Sequence, residues 1–218
     1  MVCAVSYKNP LGEGYPPGCR TKIASYARSR DYHPVLKGML GTMLEALRRQ
    51  YPGLTGRTFD DTAPQREKQL AGDAGRGRLG RLGLLRTPHY GSYVLRGELV
   101  LTLPSDQYDA PFAGARCGRC RNCLDSCPTG AIVAPKVIDT NRCISCRTIE
   151  KESDSALPDL DGWIFGCDRC QSCCPHNQKA PMHRSPHFDP LFDPPTISDR
   201  EWLSLSEEEL LLRFGNTP

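Results

Sequence analysis

No apolar run in this 218-residue sequence approaches the length of a membrane span, which excludes a transmembrane helix. The opening residues, Met1-Val-Cys-Ala-Val-Ser-Tyr-Lys, lack both a basic leader and a long apolar stretch, so a secretory signal is not expected and a cytoplasmic protein is. Apart from one doubled cysteine motif there is no internal repeat, which argues against a solenoid. Net charge is also small, +3, but its sign is uneven. Arg66, Lys68, Arg76, Arg78, Arg81 and Arg86 face only Glu67 and Asp73 between positions 66 and 86, while Glu201, Glu207, Glu208 and Glu209 make the end acidic. A basic block of this kind is a solvated face or a contact for phosphate, from a cofactor tail or RNA.

What the sequence has in abundance is cysteine: twelve residues, ten of them between 117 and 174. Disulfides require an oxidising compartment, which nothing here suggests. Zinc ribbons offer C-x2-C pairs. They do not offer Cys117-x2-Cys120-x2-Cys123-x3-Cys127-Pro128, the bacterial ferredoxin run for [4Fe–4S] clusters. Three thiolates at this spacing wrap one cube, and the fourth, before proline, reaches a second. A second group is present as Cys143, Cys146, Cys167, Cys170, Cys173 and Cys174-Pro175. Two cubes need eight thiolates. Cys117, Cys120 and Cys123, closed by Cys174, suit the first; Cys127, Cys167 and Cys170 suit the second. Its last place is contested by Cys143, Cys146 and Cys173.

Upstream, positions 2–7 read as a strand and 11–19 as a loop rich in glycine and proline. Positions 23–30 and 34–50 read as helices, the second with Val35, Leu36, Met39, Leu40, Met43, Leu44 and Leu47 at helical spacing. Tyr32 and His33 occupy the joint between them, where a lone histidine is a structural or surface residue or the neighbour of a ligand. Asp61 or Thr62 could cap a helix beginning near Pro64; the sharper alternative is a carboxyl poised to donate a proton. The glycines at 75, 77 and 80 match G-x-G-x-x-G, but a helix rather than a strand precedes them, so a nicotinamide site is rejected and close approach to a bulky or phosphate-bearing ligand is expected. Positions 92–103 predict a strand pair or one bent strand with a bulge at Gly97. Short strands are expected around Val137 and Trp163, a helical turn after Asp125, and a helical end over 198–214. A plain ferredoxin needs far fewer residues, so positions 1–110 must hold an acceptor, substrate or partner.

Through most of its length the chain resembles the epoxyqueuosine reductase family, tRNA-modifying enzymes related to cobalamin-dependent reductive dehalogenases. The residues that carry the resemblance are Ser25-Tyr26-Ala27, Arg30-Asp31-Tyr32-His33, Asp61-Thr62-Ala63-Pro64, Gly91-Ser92, Gly97-Glu98-Leu99, the first cysteine run through Ile132, Arg142-Cys143-Ile144-Ser145, Thr148-Ile149-Glu150 and positions 166–175. The resemblance implies an α+β protein: an incomplete α/β cobalamin-binding reductase core over 1–110, a ferredoxin-like domain with two [4Fe–4S] clusters over 111–180, and a helical extension over 181–218. It implies one cluster on Cys117, Cys120, Cys123 and Cys174 and another on Cys127, Cys143, Cys167 and Cys170, with Cys146 and Cys173 spare. It implies that electrons pass through the clusters to a base-off cobalamin and remove the epoxide of epoxyqueuosine at the tRNA wobble position. Asp61 becomes the implied proton donor, kept neutral by burial. His33, Arg81, Ser92 and Glu98 are implied to line the cobalamin pocket with it. The implied partners are tRNA carrying epoxyqueuosine and a flavodoxin- or ferredoxin-type electron donor, and the implied state is a monomer. An iron–sulfur module that serves a partner reductase without binding cobalamin is the alternative. In the family loop that usually reads G-W-x-G-K-H, Arg78, Arg81 and Leu82 replace tryptophan, lysine and histidine. Family members begin upstream of the segment matching Met1, and many continue past Pro218, so a chain shortened at both ends is expected.

Overall fold

The computed structural model describes residues 1–62, 64–114, 116–150 and 159–218. Ala63, in the Asp61 motif, lies outside them. Strand β1 (Val2–Ser6) opens the chain, and a two-residue strand β2 (Lys22–Ile23) follows the glycine- and proline-rich loop. Helix α1 (Tyr32–Gln50) begins at Asp31, whose carboxylate accepts the His33 N–H at 2.9 Å. That bond satisfies one of the donors a helix start leaves open. Of the seven apolar positions expected to form its core face, Leu36, Leu40 and Leu44 are buried, four residues apart; Met43 is 37% exposed and the rest are half-buried.

Strand β3 (Gly56–Phe59) is followed by helix α2 (Glu67–Asp73), the hairpin β4 (Arg78–Leu79) and β5 (Leu85–Arg86), and the long strand β6 (Val94–Leu101). Strand β6 lies between β1 and β3, antiparallel to both. Helix α1 covers the sheet through Leu40, Leu44 and Leu99. Burying each such leucine contributes roughly 2 kcal/mol.

Several local expectations are corrected by the fold. Strand β6 is single and its pairing with β1 runs without a register shift from Val94 to Glu98, so Gly97 is not a bulge; Leu40 packs where its side chain would be. The glycine loop over 72–83 turns into the β4–β5 hairpin, and a Cβ at Gly77 would lie 2.3 Å from the Arg86 carbonyl oxygen. At Gly77 the close approach is backbone to backbone. Nor do Asp61 and Thr62 cap α2: its N-cap position is Arg66, and no side chain caps it.

The cysteine-rich part holds α3 (Asn122–Asp125), the hairpin β7 (Ile132–Ala134) and β8 (Val137–Ile138), α4 (Ile144–Ile149), β9 (Trp163–Phe165), α5 (Arg169–Ser172) and α6 (Pro175–Gln178). It is stitched to the first part rather than appended. Strand β9 pairs in parallel with β2. Ser25 donates both its N–H and its hydroxyl to Asp168 Oδ2 at 2.6 Å, and Lys8 Nζ donates to the Ala180 carbonyl at 2.8 Å. These long-range bonds take over positions 23–30: in place of the expected helix stand β2 and one 3-10 turn, Ser25–Arg28. The last residues form α7 (Asp199–Ser204) and α8 (Glu207–Phe214), the second with a capping box between Ser206 and Glu209. They fold back on the start: Phe188 is fully buried with Tyr7 and Tyr93, and the Asp31 N–H donates to the Asn216 carbonyl at 2.8 Å. No helix among the described residues is long and apolar enough to cross a membrane.

Candidate active site: a carboxylate facing four thiols

The first turn of α1 and the turn after β3 meet because β3 runs beside the strand that α1 covers. Asp60 fixes that second turn. Its Oδ1 accepts the Thr62 N–H at 3.2 Å and the Thr62 hydroxyl at 2.5 Å, an Asx turn that directs Asp61 toward α1. There Asp61 Oδ2 accepts the Tyr32 hydroxyl at 2.5 Å. Its Oδ1 lies 3.2 Å from His33 Nε2. The other ring nitrogen, Nδ1, lies 2.7 Å from Asp31 Oδ1, and the Tyr32 and His33 rings are stacked with centroids 4.1 Å apart. Asp31 thus caps the helix and fixes the imidazole, leaving Nε2 aimed at Asp61.

The burial expected for Asp61 is not found. Its side chain is 45% exposed, beside the Tyr32 hydroxyl and the His33 ring. Burial, and then the bond to Asp61, push the Tyr32 phenol well above its ordinary range, so it stays a donor.

A cavity of about 490 Å³ separates this group from the cysteines. Tyr26, Tyr32 and Asp61 line it, and so do Cys127, Cys143, Cys167 and Cys170. None of Cys117, Cys120, Cys123 and Cys174 lines it. Ser92 does, held by a closed set of bonds: its hydroxyl donates to Gln171 Oε1 at 2.9 Å, its N–H donates to Asn177 Oδ1 at 2.7 Å, and Asn177 Nδ2 donates back to its Oγ at 2.8 Å. Lys68 reaches the cavity from α2, its ammonium pulled below the ordinary lysine range by burial and then by Arg96.

The thiols crowd in two groups. Burial and then Cys173, Cys117 and Cys174 push the Cys123 thiol up to about 11. Burial raises Cys167 to about 12, with Cys143 and Cys127 adding to it. Cys170 is raised by burial, then by Cys167 and also by Cys143. Thiolates packed this way repel one another unless a cationic core lies among them, which is the donor set an iron–sulfur cube requires. Among the described residues no three histidine, cysteine or acidic side chains converge on a point that would suit a single ion; ligands spread over the corners of a cube need no such convergence. Cys127 also accepts the Ala131 N–H at 3.3 Å. Of the two cysteines expected to be spare, Cys173 sits near both groups, its Sγ accepting the Ser126 hydroxyl at 2.9 Å, and Cys146 lies half-buried on α4.

Of the residues expected around the cavity, Asp61 and Ser92 line it and His33 supports Asp61. Arg81 and Glu98 are elsewhere. Arg81 donates to the Gly118 carbonyl at 2.6 Å, beside the first thiol group. Glu98 is buried inside the sheet, neither oxygen hydrogen-bonded among the described residues. Sequence reading missed Asp31, Tyr26 and Lys68. An acid immediately before a helix signals a cap, and that signal could have found Asp31.

Comparison with known proteins follows the same division. Residues 1–62 match the family described as Epoxyqueuosine reductase QueG, DUF1730. Residues 116–177 match the 4Fe-4S double cluster binding domain. An epoxyqueuosine reductase of Synechocystis sp. is 44% identical over 183 residues, covering 82% of this chain and 62% of that protein. One of Synechococcus sp. (strain RCC307) is 41% identical over 184 residues, covering 84% and 54%. The chain therefore spans a little over half the length of these relatives. A crystal structure of epoxyqueuosine reductase with an epoxyqueuosine-modified tRNA-Tyr stem loop superposes with a TM-score of 0.81 at 29% identity, covering 99% of this chain and 58% of that one.

Proposed function

Because this chain belongs to the epoxyqueuosine reductase family, we propose that it carries that family's reaction, removal of the epoxide oxygen of epoxyqueuosine in tRNA, on the cavity between Asp61 and the second thiol group. The balance is epoxide plus two electrons and two protons giving alkene plus water. Two [4Fe–4S] clusters, one on Cys117, Cys120, Cys123 and Cys174 and one on Cys127, Cys143, Cys167 and Cys170, would conduct the electrons. A base-off cobalamin in the cavity would supply the metal centre that takes oxygen from carbon. The observation that supports this reading is the cavity itself, lined by a carboxylate and by four thiols.

Within it, Asp61 delivers a proton to the departing oxygen. His33 Nε2, 3.2 Å away, is the neighbour through which a proton reaches Asp61, and Asp31 holds the ring from the far side. The pair can supply both protons in turn. Tyr32 holds the carboxylate in position, and Ser92 and Lys68 offer a hydroxyl and a cation to polar groups of the bound cofactor. The solved relative with a modified tRNA stem loop supports tRNA as the substrate here, and its phosphates would meet cationic side chains. The reaction belongs where tRNA is, in the cytoplasm, in a monomer fed by an external flavodoxin- or ferredoxin-type carrier.

The test is anaerobic reconstitution with iron, sulfide and cobalamin, desalting, and a single turnover with a stem loop bearing epoxyqueuosine. Retained corrinoid and a nucleoside lighter by one oxygen atom are expected. Intact clusters without retained corrinoid would leave only an electron-transfer module.

A further inference from the structure

We propose that the surface around the first thiol group is the docking face for a small acidic one-electron carrier protein. The proposal rests on the reading that Cys117, Cys120, Cys123 and Cys174 hold a cluster. The two thiol groups are placed differently. The second borders the cavity, whereas the first contributes nothing to it. Cys117 and Cys120 are instead half-buried in a loop whose Arg116, Gly118, Arg119 and Arg121 are exposed. Electrons entering there and leaving at the second group would arrive beside Asp61.

Arg81 joins this loop to the β7–β8 hairpin. Its guanidinium donates to the Gly118 carbonyl at 2.6 Å, and its own carbonyl accepts the Lys136 N–H at 2.9 Å. Arg81, Arg116, Arg119, Arg121 and Lys136 therefore belong to one continuous face. Its acid, Asp125, is engaged by Arg121 at 3.3 Å. Arg116 and Arg119 form no ion pair among the described residues. The hairpin adds Val133 and Val137, 53% and 52% exposed, on either side of the Lys136 turn.

A small apolar centre with a cationic rim over a near-surface redox site suits a weak, fast and salt-sensitive encounter with an anionic protein. Such a carrier passes one electron per encounter, its reduced form being oxidised as the cluster is reduced, and two encounters supply one turnover. RNA also seeks cations, but the exposed Val133 and Val137 of the hairpin favour a protein.

The experiment uses photoreduced acidic flavodoxin as the probe and follows bleaching of cluster absorbance by stopped flow across a range of salt. It compares wild type, Lys136→Glu, and the triple variant Arg116→Glu/Arg119→Glu/Lys136→Glu. Flavodoxin-driven bleaching is expected to slow about tenfold or more at low salt in the triple variant and to lose its salt dependence. Iron content, bleaching by dithionite and stem-loop affinity are expected to stay as in wild type. Lys136→Glu, remote in sequence from any thiol, should show a smaller slowing, and it decides the matter if the triple variant fails to hold iron. Unchanged flavodoxin rates in iron-replete variants would overturn the proposal, as would loss of stem-loop affinity with flavodoxin rates intact, which would assign the face to tRNA. A wild type unable to hold iron would instead overturn the cluster reading itself.

Discussion

His33 stands between two carboxylates, 2.7 Å from Asp31 and 3.2 Å from Asp61. Replacing it with glutamine keeps a hydrogen-bond donor near Asp61 but removes the imidazole. His33→Gln is expected to lower the single-turnover rate by about a hundredfold, with stem-loop affinity unchanged. A rate profile identical to wild type would remove His33 from the proton path. Glu98 poses the opposite problem, a buried acid without a hydrogen bond among the described residues. Burial, then Glu67, raise its carboxyl above the ordinary value, against the pull of Arg96. The folded state therefore holds this proton more tightly than the unfolded one. Its contribution to stability is full at pH values below the unfolded carboxyl range and declines as pH rises through the folded value. Glu98→Gln should stabilise the protein on the order of 1 kcal/mol at pH 7, about 2–4 °C in melting temperature, and give no gain in acid. A gain that persists at low pH would contradict this. Neither role was readable from residue type alone. Asp61 could be picked out through its motif, but what touches it depends on where a strand ends against a helix.

At the scale of elements, what periodicity could reach was found. The helix over 34–50 and the strands near 2–7 and 94–101 follow from local pattern, because each buries one face against a neighbour. What local pattern could not reach was decided by distant partners. Positions 23–30 lose their expected helix to Asp168 and to β9, more than 130 residues away. The glycine-rich loop turns into a hairpin because the Arg86 backbone comes to Gly77. Gly91 is a further case. It holds φ at +61°, and an added Cβ would fall 2.2 Å from Asn177 Oδ1, the atom that accepts the Ser92 N–H. Gly91→Ala is expected to cost about 2 kcal/mol or more, seen as a lower urea midpoint with little change in slope. A wild-type midpoint would show that the bonds between Ser92, Gln171 and Asn177 adapt without strain.

Across the whole molecule, the expected partition at position 110 is crossed by hydrogen bonds at every level: Ser25 to Asp168, Ser92 to Gln171 and Asn177, and Lys8 to Ala180. This stitching matters because electrons and protons must meet in one cavity with neither wall free to drift. Spacing alone left Cys143, Cys146 and Cys173 as rivals; the fold places Cys143 on the cavity and the other two off it. Cys146→Ser and Cys173→Ser should accordingly keep the iron of two four-iron clusters, whereas Cys143→Ser should lose part of it. The account turns on Asp61 facing the second thiol group. Its most direct test is Asp61→Asn, loaded with both clusters and cobalamin and given one equivalent of epoxyqueuosine stem loop under strong reductant. Iron, corrinoid and stem-loop binding should match wild type while conversion falls by at least about a hundredfold. Conversion at the wild-type rate would contradict the account.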